Sequence, residues 1–248
     1  MMNGNKLRAL SLCGSGLVAA AFTLMSSPAA AAEAADEPST QEQGLGTHQK
    51  NVRLDIGFRT QFFKQAAFDP FSEHDAFHQL SLAASWGFWA HERLSLAGVV
   101  GFDYGSSSAN LRSDDASLDV RRFLLAPEAR YHVLPVLALT AKVGPTLTRE
   151  KAVVSGGLGT DLAKTAWRFG FDATAGVAFE LWGYANVSSP KPRLWLTAEG
   201  GYGWTAANRL KLEPNHEGQG PQRLTPLDLG DLSLGGPLFR ITAALSFW

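Results

Sequence analysis

From residue 51 onward the chain repeatedly alternates between two chemistries with a period of two, and one of the two faces carries no formal charge. In the first such stretch, Val52, Leu54, Ile56, Phe58, Thr60 and Phe62 form one face and Arg53, Asp55, Gly57, Arg59 and Gln61 the other. A two-residue period is that of a β-strand. The polar face holds full charges, so it is no ordinary solvent-shy core. Apolar outside and charged inside is the pattern of a closed barrel whose solvent is lipid, because only helices and closed barrels satisfy every backbone group in a bilayer.

Eight segments repeat the pattern: Asn51–Phe63, Phe77–Trp89, Arg93–Gly105, Asp119–Leu134, Val136–Thr148, Ala166–Trp182, Arg193–Thr205 and Leu238–Trp248. Their apolar faces contain no Asp, Glu, Lys or Arg, although such residues make up 18% of the chain. Each segment can cross a bilayer, for which a tilted strand needs ~9–11 residues. The expected fold is therefore all-β: a closed antiparallel eight-stranded transmembrane β-barrel over residues 51–248. Short links (Ala90–Glu92, near Pro135, and Gly183–Pro192) alternate with long ones (Lys64–Ala76, Ser106–Leu118, Arg149–Thr165 and Ala206–Pro237). Barrels of the outer membrane have short periplasmic turns and long surface loops. The expectation is thus an outer-membrane location with both termini in the periplasm, outer-membrane lipid being the surrounding partner. Pro127 and Pro145 fall inside strands, where each removes a ladder donor, and call for a bulge or a rim position.

Residues 1–32 have the layout of a secretory signal peptide: Lys6 and Arg8, an apolar run from Ala9 to Met25, then small residues with Ala30 and Ala32 at the cleavage positions. Cleavage there lowers the basic count from 22 to 20 against 23 acidic residues, a net of −3, and removes Cys13, the single cysteine. No disulfide or thiol chemistry is then expected. Residues 33–50 read as a flexible periplasmic leader. The near-neutral balance gives no electrostatic footprint for nucleic acid.

Aromatic residues gather at the strand ends, as amphipathic rings do where hydrocarbon meets headgroups. Trp86, Trp89, Tyr131, Trp182, Trp195 and Trp248 are expected at the periplasmic border, and Tyr104, Trp167, Tyr202 and Trp204 at the outer one.

On the inward face the alternation places Arg53, Arg59, Arg93, Arg122, Arg130, Lys142, Arg168, Arg193 and Arg240 against Asp55, Asp103, Glu128, Asp172, Glu180 and Glu199. An eight-stranded barrel is just wide enough for side chains to fill, and buried charges must pair. A salt-bridged, plugged lumen follows, with a narrow passive channel for small solutes as the competing reading. No catalytic group, metal site or cofactor is expected. In the first long loop, Asp69, Glu73, His74, Asp75 and His78 are ligand candidates, against the plainer expectation of a solvated loop whose Phe residues pack at the membrane rim. In the last, Leu227–Gly236 alternates again and extends the wall above the membrane.

The chain resembles the small outer-membrane β-barrel families typified by the OmpA transmembrane domain, OmpX and OmpW, over about residues 51–248. The resemblance rests on strand number, loop alternation and the final strand, Phe239-Arg-Ile-Thr-Ala-Ala-Leu-Ser-Phe-Trp248. It implies that this strand is read by the barrel-assembly machinery, although Trp248 stands one residue out of phase. It also implies a structural, adhesive or surface-presenting role. Some barrels of this size modify lipid A through a His-x-Ser pair, which this sequence lacks, so an outer-membrane lipid-modifying enzyme is the weakest alternative.

Overall fold

A computed structural model describes residues 51–72, 74–111, 114–156, 161–183, 192–214 and 226–247. The expected signal peptide, the leader, Glu73 and Trp248 lie outside the described residues. The strands are β1 (Val52–Phe62), β2 (Ala76–His91), β3 (Leu94–Leu111), β4 (Asp114–Leu134), β5 (Leu137–Gly156), β6 (Leu162–Trp182), β7 (Arg193–Thr205), β8 (Asn208–Pro214), β9 (Leu227–Leu232) and β10 (Gly236–Phe247). Eight of them close a ring of antiparallel neighbours: β1 pairs with β2 and β10, β10 with β7, β7 with β6, and β6 with β5. The expected eight-stranded barrel is therefore present.

One end of the ring carries the two-residue turns Glu92-Arg93 and Pro135-Val136, the first of which needs a positive φ of 46° at Glu92. We call it the turn end. The other, the hairpin end, reaches much further than the sequence pattern suggests. Ser106–Leu118 and Arg149–Thr165, expected as loops, are largely strand: β3 and β4 stay paired out to Leu111 and Asp114, and β5 and β6 out to Val154 and Leu162. Ala206–Pro237 likewise contains the β8–β9 hairpin, which joins the extended edge of β6 through Leu162 and Ala163. The alternation noticed in Leu227–Gly236 is thus a strand, β9, beside the ring.

Within the ring the outward residues are those the alternation selects, and they are bare: Phe58 is 70% and Phe169 75% exposed. An apolar surface this continuous has no place in water and marks a lipid-facing wall. Neither proline shifts the register. Pairing of β4 with β5 stops after Leu124↔Thr146 and resumes in the same register at Glu128↔Lys142, so Pro127 and Pro145 share one unpaired window. The anticipated bulge is not needed, because both missing donors fall in that interval.

Beyond the lipid-facing band the polarity inverts. Past Arg122 the inward residues of β4 are Val120, Leu118 and Ala116; those of β5 beyond Glu150 are Ala152 and Val154. With Leu162, Leu210, Leu212, Leu232, Leu234, Phe63, Phe68, Phe71 and Phe77 they form one buried apolar cluster. The phenylalanines of the first long connection therefore sit inside this cap, not at the membrane rim. Phe68 packs edge-on against Phe63 (centroids 4.6 Å apart) and Phe77 (6.1 Å), across a single 3-10 turn at Asp69–Phe71. Here the outside is water, so the ordinary rule of apolar burial returns.

Candidate functional site: the charged lumen and its cap

Below the cap, the inward faces of β1, β3, β4, β5, β6, β7 and β10 bring their charges together in a network that runs without a break from Asp55 to Asp172. Near the turn end, Arg53 donates through Nε to Asp55 (2.8 Å) and through both terminal nitrogens to the two Glu128 oxygens (2.8 Å each). Glu128 also faces Arg130 (3.4 Å) and Lys142 (3.8 Å), and Lys142 reaches on to Glu199 (2.7 Å). Arg240 links Glu199 (3.8 Å) to Asp103 (3.2 Å). Arg59, fully buried, joins Asp103 (3.0 Å) to Asp172, which also accepts from Arg122 (3.1 Å). Ion pairs of this density are required in a closed lumen, since a buried charge stripped of its partner costs several kcal/mol.

The Leu234 carbonyl ties the lumen to the cap. Leu234 O accepts from Gln61 Nε2 (2.7 Å) and from the Thr205 hydroxyl (3.2 Å), and Arg122 Nη2 lies 3.3 Å from that hydroxyl. Two flanking pairs complete the set: Arg193 with Glu180 (3.6 Å) at the turn end and Arg168 with Glu150 (4.0 Å) at the hairpin end. Glu150 was missed in the sequence because it lies in the stretch expected to be loop. It stands beyond the lipid-facing band, between outward Arg149 and Lys151, under the apolar cap. Among the described residues neither of its carboxylate oxygens has a hydrogen-bond partner, and burial pushes its carboxyl up to about 7 against the weaker pull of Arg168.

Fourteen of the fifteen expected lumen charges thus take part in this interior. Arg93 does not: it is exposed in the turn, where its carbonyl accepts the His132 N–H (2.7 Å), because the chain reverses before its side chain can turn inward. Trp195 also needs correction. It is 3% exposed and inward, not part of a belt, with the Arg130 guanidinium 5.2 Å from its ring centre and His132 edge-on at 6.1 Å. Its neighbours Leu194 and Leu196 take the outward positions. Trp86, Trp89, Tyr131 and Trp182 are exposed at the turn end, and Tyr104, Trp167, Tyr202 and Trp204 at the hairpin end. Arg53, Glu128 and Arg130 of the network, with Arg193, His132 and Trp195, line a cavity at the turn end.

The loop ligand candidates do not assemble. Asp69, His74, Asp75 and His78 are all exposed, and His78 Nδ1 lies 3.0 Å from the Thr60 hydroxyl on the outer face. Among the described residues no three His, Cys, Asp or Glu side chains are placed to hold a metal ion.

A charge-free apolar wall around a charged, paired interior defines a transmembrane β-barrel of eight strands. No known family model matches the chain, and no curated protein sequence does. Among solved structures, Ail, the attachment invasion locus protein of Yersinia pestis, in complex with the heparin analogue sucrose octasulfate, matches at 12% identity and a TM-score of 0.44. That alignment covers 80% of this chain and 99% of the other. A second Ail structure gives 10% identity and 0.42 over the same shares. The assignment here rests on the ring and its surface.

Proposed function

We propose that this protein is an outer-membrane barrel that neither conducts nor catalyses and that works through the rigid structure it projects from the hairpin end. The observation that carries this reading is the double closure of the lumen: an unbroken ion-pair network, then an apolar cap of buried Phe and Leu side chains. A solute path would have to break both. The projecting part is built of paired strands continuous with the membrane wall, which suits a stiff surface for adhesion or presentation better than mobile loops would.

In this reading the signal-like segment directs export, the hairpin end faces the exterior, the termini lie in the periplasm, and the β10 strand is handed to the assembly machinery. The test is electrical. Refolded protein in planar bilayers gives no sustained openings; reproducible conductance steps would overturn the reading. Protease added to intact cells cuts only at the hairpin end, and cleavage at the turn-end links would reverse the orientation.

A further inference from the structure

On the outward faces of the eight ring strands, among the described residues, only three Arg or Lys side chains occur, and all three are neighbours: Arg121 on β4, with Arg149 and Lys151 on β5. Pairing sets four side chains in a line across β3, β4, β5 and β6: Tyr104, Arg121, Arg149 and Trp167. One row towards the turn end the line reads Phe102, Phe123, Leu147 and Phe169. Phe123 there contacts both Phe102 (centroids 5.1 Å) and Trp167 (6.5 Å, stacked). One row the other way it reads Ser106, Asp119, Lys151 and Thr165. The wall therefore passes from hydrocarbon-facing rings to two guanidinium groups in a single step, with Trp167 and Tyr104 at the flanks where headgroup-level aromatics belong.

Arg121 and Arg149 are directly opposed across two strands. Like charges in that position destabilise a sheet. Among the described residues no carboxylate lies within ion-pairing distance of either; the Arg121 guanidinium instead rests 5.9 Å from the Tyr104 ring centre. The nearest outward acid, Asp119, stands one row away opposite Lys151. The opposed arginine pair at the edge of the lipid band is itself left without an ion-paired carboxylate, and the geometry points to the phosphate group of a membrane lipid. Its acyl chains would lie on the Phe102–Phe123–Phe169 ledge while the two guanidinium groups grip the phosphate as forks. We infer that this ledge is a binding site for a phosphorylated lipid of the leaflet on the hairpin side. The inference rests on the embedding of the barrel, not on the surface role proposed above.

Native mass spectrometry of the full protein in detergent tests it, with diphosphoryl lipid A, fully dephosphorylated lipid A and inorganic phosphate as probes. The expected result is retention of the diphosphoryl form over the dephosphorylated one, with no displacement by inorganic phosphate. In R121Q/R149Q retention falls about tenfold or more, as expected on losing charge-assisted hydrogen bonds, and R121K/R149K recovers part of it. Equal retention of the two lipids, or phosphate-selective retention unaffected by R121Q/R149Q, overturns the site. Displacement by inorganic phosphate would replace a lipid site with a simple anion site and also overturns it. Heat-modifiable gel migration of each variant shows that the barrel is folded, so that a lost barrel is not mistaken for a lost site.

Discussion

Glu128 is where the lumen network is most concentrated, and replacing it by Gln removes one charge while nearly keeping the shape. In the intact lumen its carboxylate accepts two 2.8 Å hydrogen bonds from Arg53 and faces Arg130 and Lys142, with 2% of its side chain exposed. After the substitution Arg53 still has Asp55 and Lys142 still has Glu199, but Arg130 loses its only acidic partner within ion-pairing distance among the described residues. Breaking a buried pair from one side costs ~3–5 kcal/mol, and the surviving partners put this case near 3. That is about a hundredfold in the folding equilibrium. The assay is denaturant unfolding of the barrel in detergent, followed by the heat-modifiable gel shift and tryptophan fluorescence. Adding Arg130→Met should restore part of the loss, because it removes the stranded charge and keeps an apolar contact with Trp195. A cost for E128Q below about 1 kcal/mol, the range of exposed ion pairs, would show that the network is solvated and refute the plugged lumen. So would strict additivity of the two substitutions.

The cap gives a second test: Phe71→Ala, at a fully buried position, costs about 3–5 kcal/mol, and limited proteolysis should show cleavage confined to the hairpin end while the ring stays heat-modifiable. At the β1–β10 seam, a Cβ on Gly57 would run into the Ile241 carbonyl oxygen and stand 2.6 Å from the Thr242 Cα. Gly57→Val therefore lowers the yield of closed barrel, and wild-type yields on gels would contradict the packing. The raised Glu150 carboxyl makes its stabilising contribution fully present below about 4.5 and lost as pH rises through about 7. Hydrogen exchange of the β5–β6 hairpin, corrected for intrinsic rates, should accelerate from pH 5 to 8, and Glu150→Gln should flatten that rise. An unchanged profile in the variant would place the titration elsewhere.

The membrane-crossing part of the fold was legible because lipid imposes one rule on every outward position from Val52 to Phe247. The part beyond the membrane was not, for the same reason. At Arg121 and Arg149 the outward phase turns polar, and a search for apolar outward faces reads that as the end of a strand. Leu118, Val120, Ala152 and Val154 carry the opposite phase, and a second search with the faces exchanged would have found them, and Glu150 with them. Trp195 was misplaced by reasoning from its distance to the strand end; its parity, shared with Thr197 and Glu199, puts it inside. Arg93 shows the converse error, since parity stops meaning anything once the chain has turned. The ion-pair partners themselves needed the ring, because Arg53–Glu128 and Arg59–Asp172 span 75 and 113 residues of sequence.

The exchange of faces along β4 and β5 has a consequence for how the molecule floats. Sliding the barrel one row deeper would submerge Arg121 and Arg149, and a cationic side chain on the lipid face costs from ~0–1 kcal/mol near the interface to ~2–4 at the midplane. Raising it one row would lift Phe123, Leu147 and Phe169 into water, at roughly 1.5–3 kcal/mol for each large apolar side chain fully exposed. Both displacements are uphill. The β3–β6 side of the barrel thus carries its own waterline, drawn by a single row of side chains.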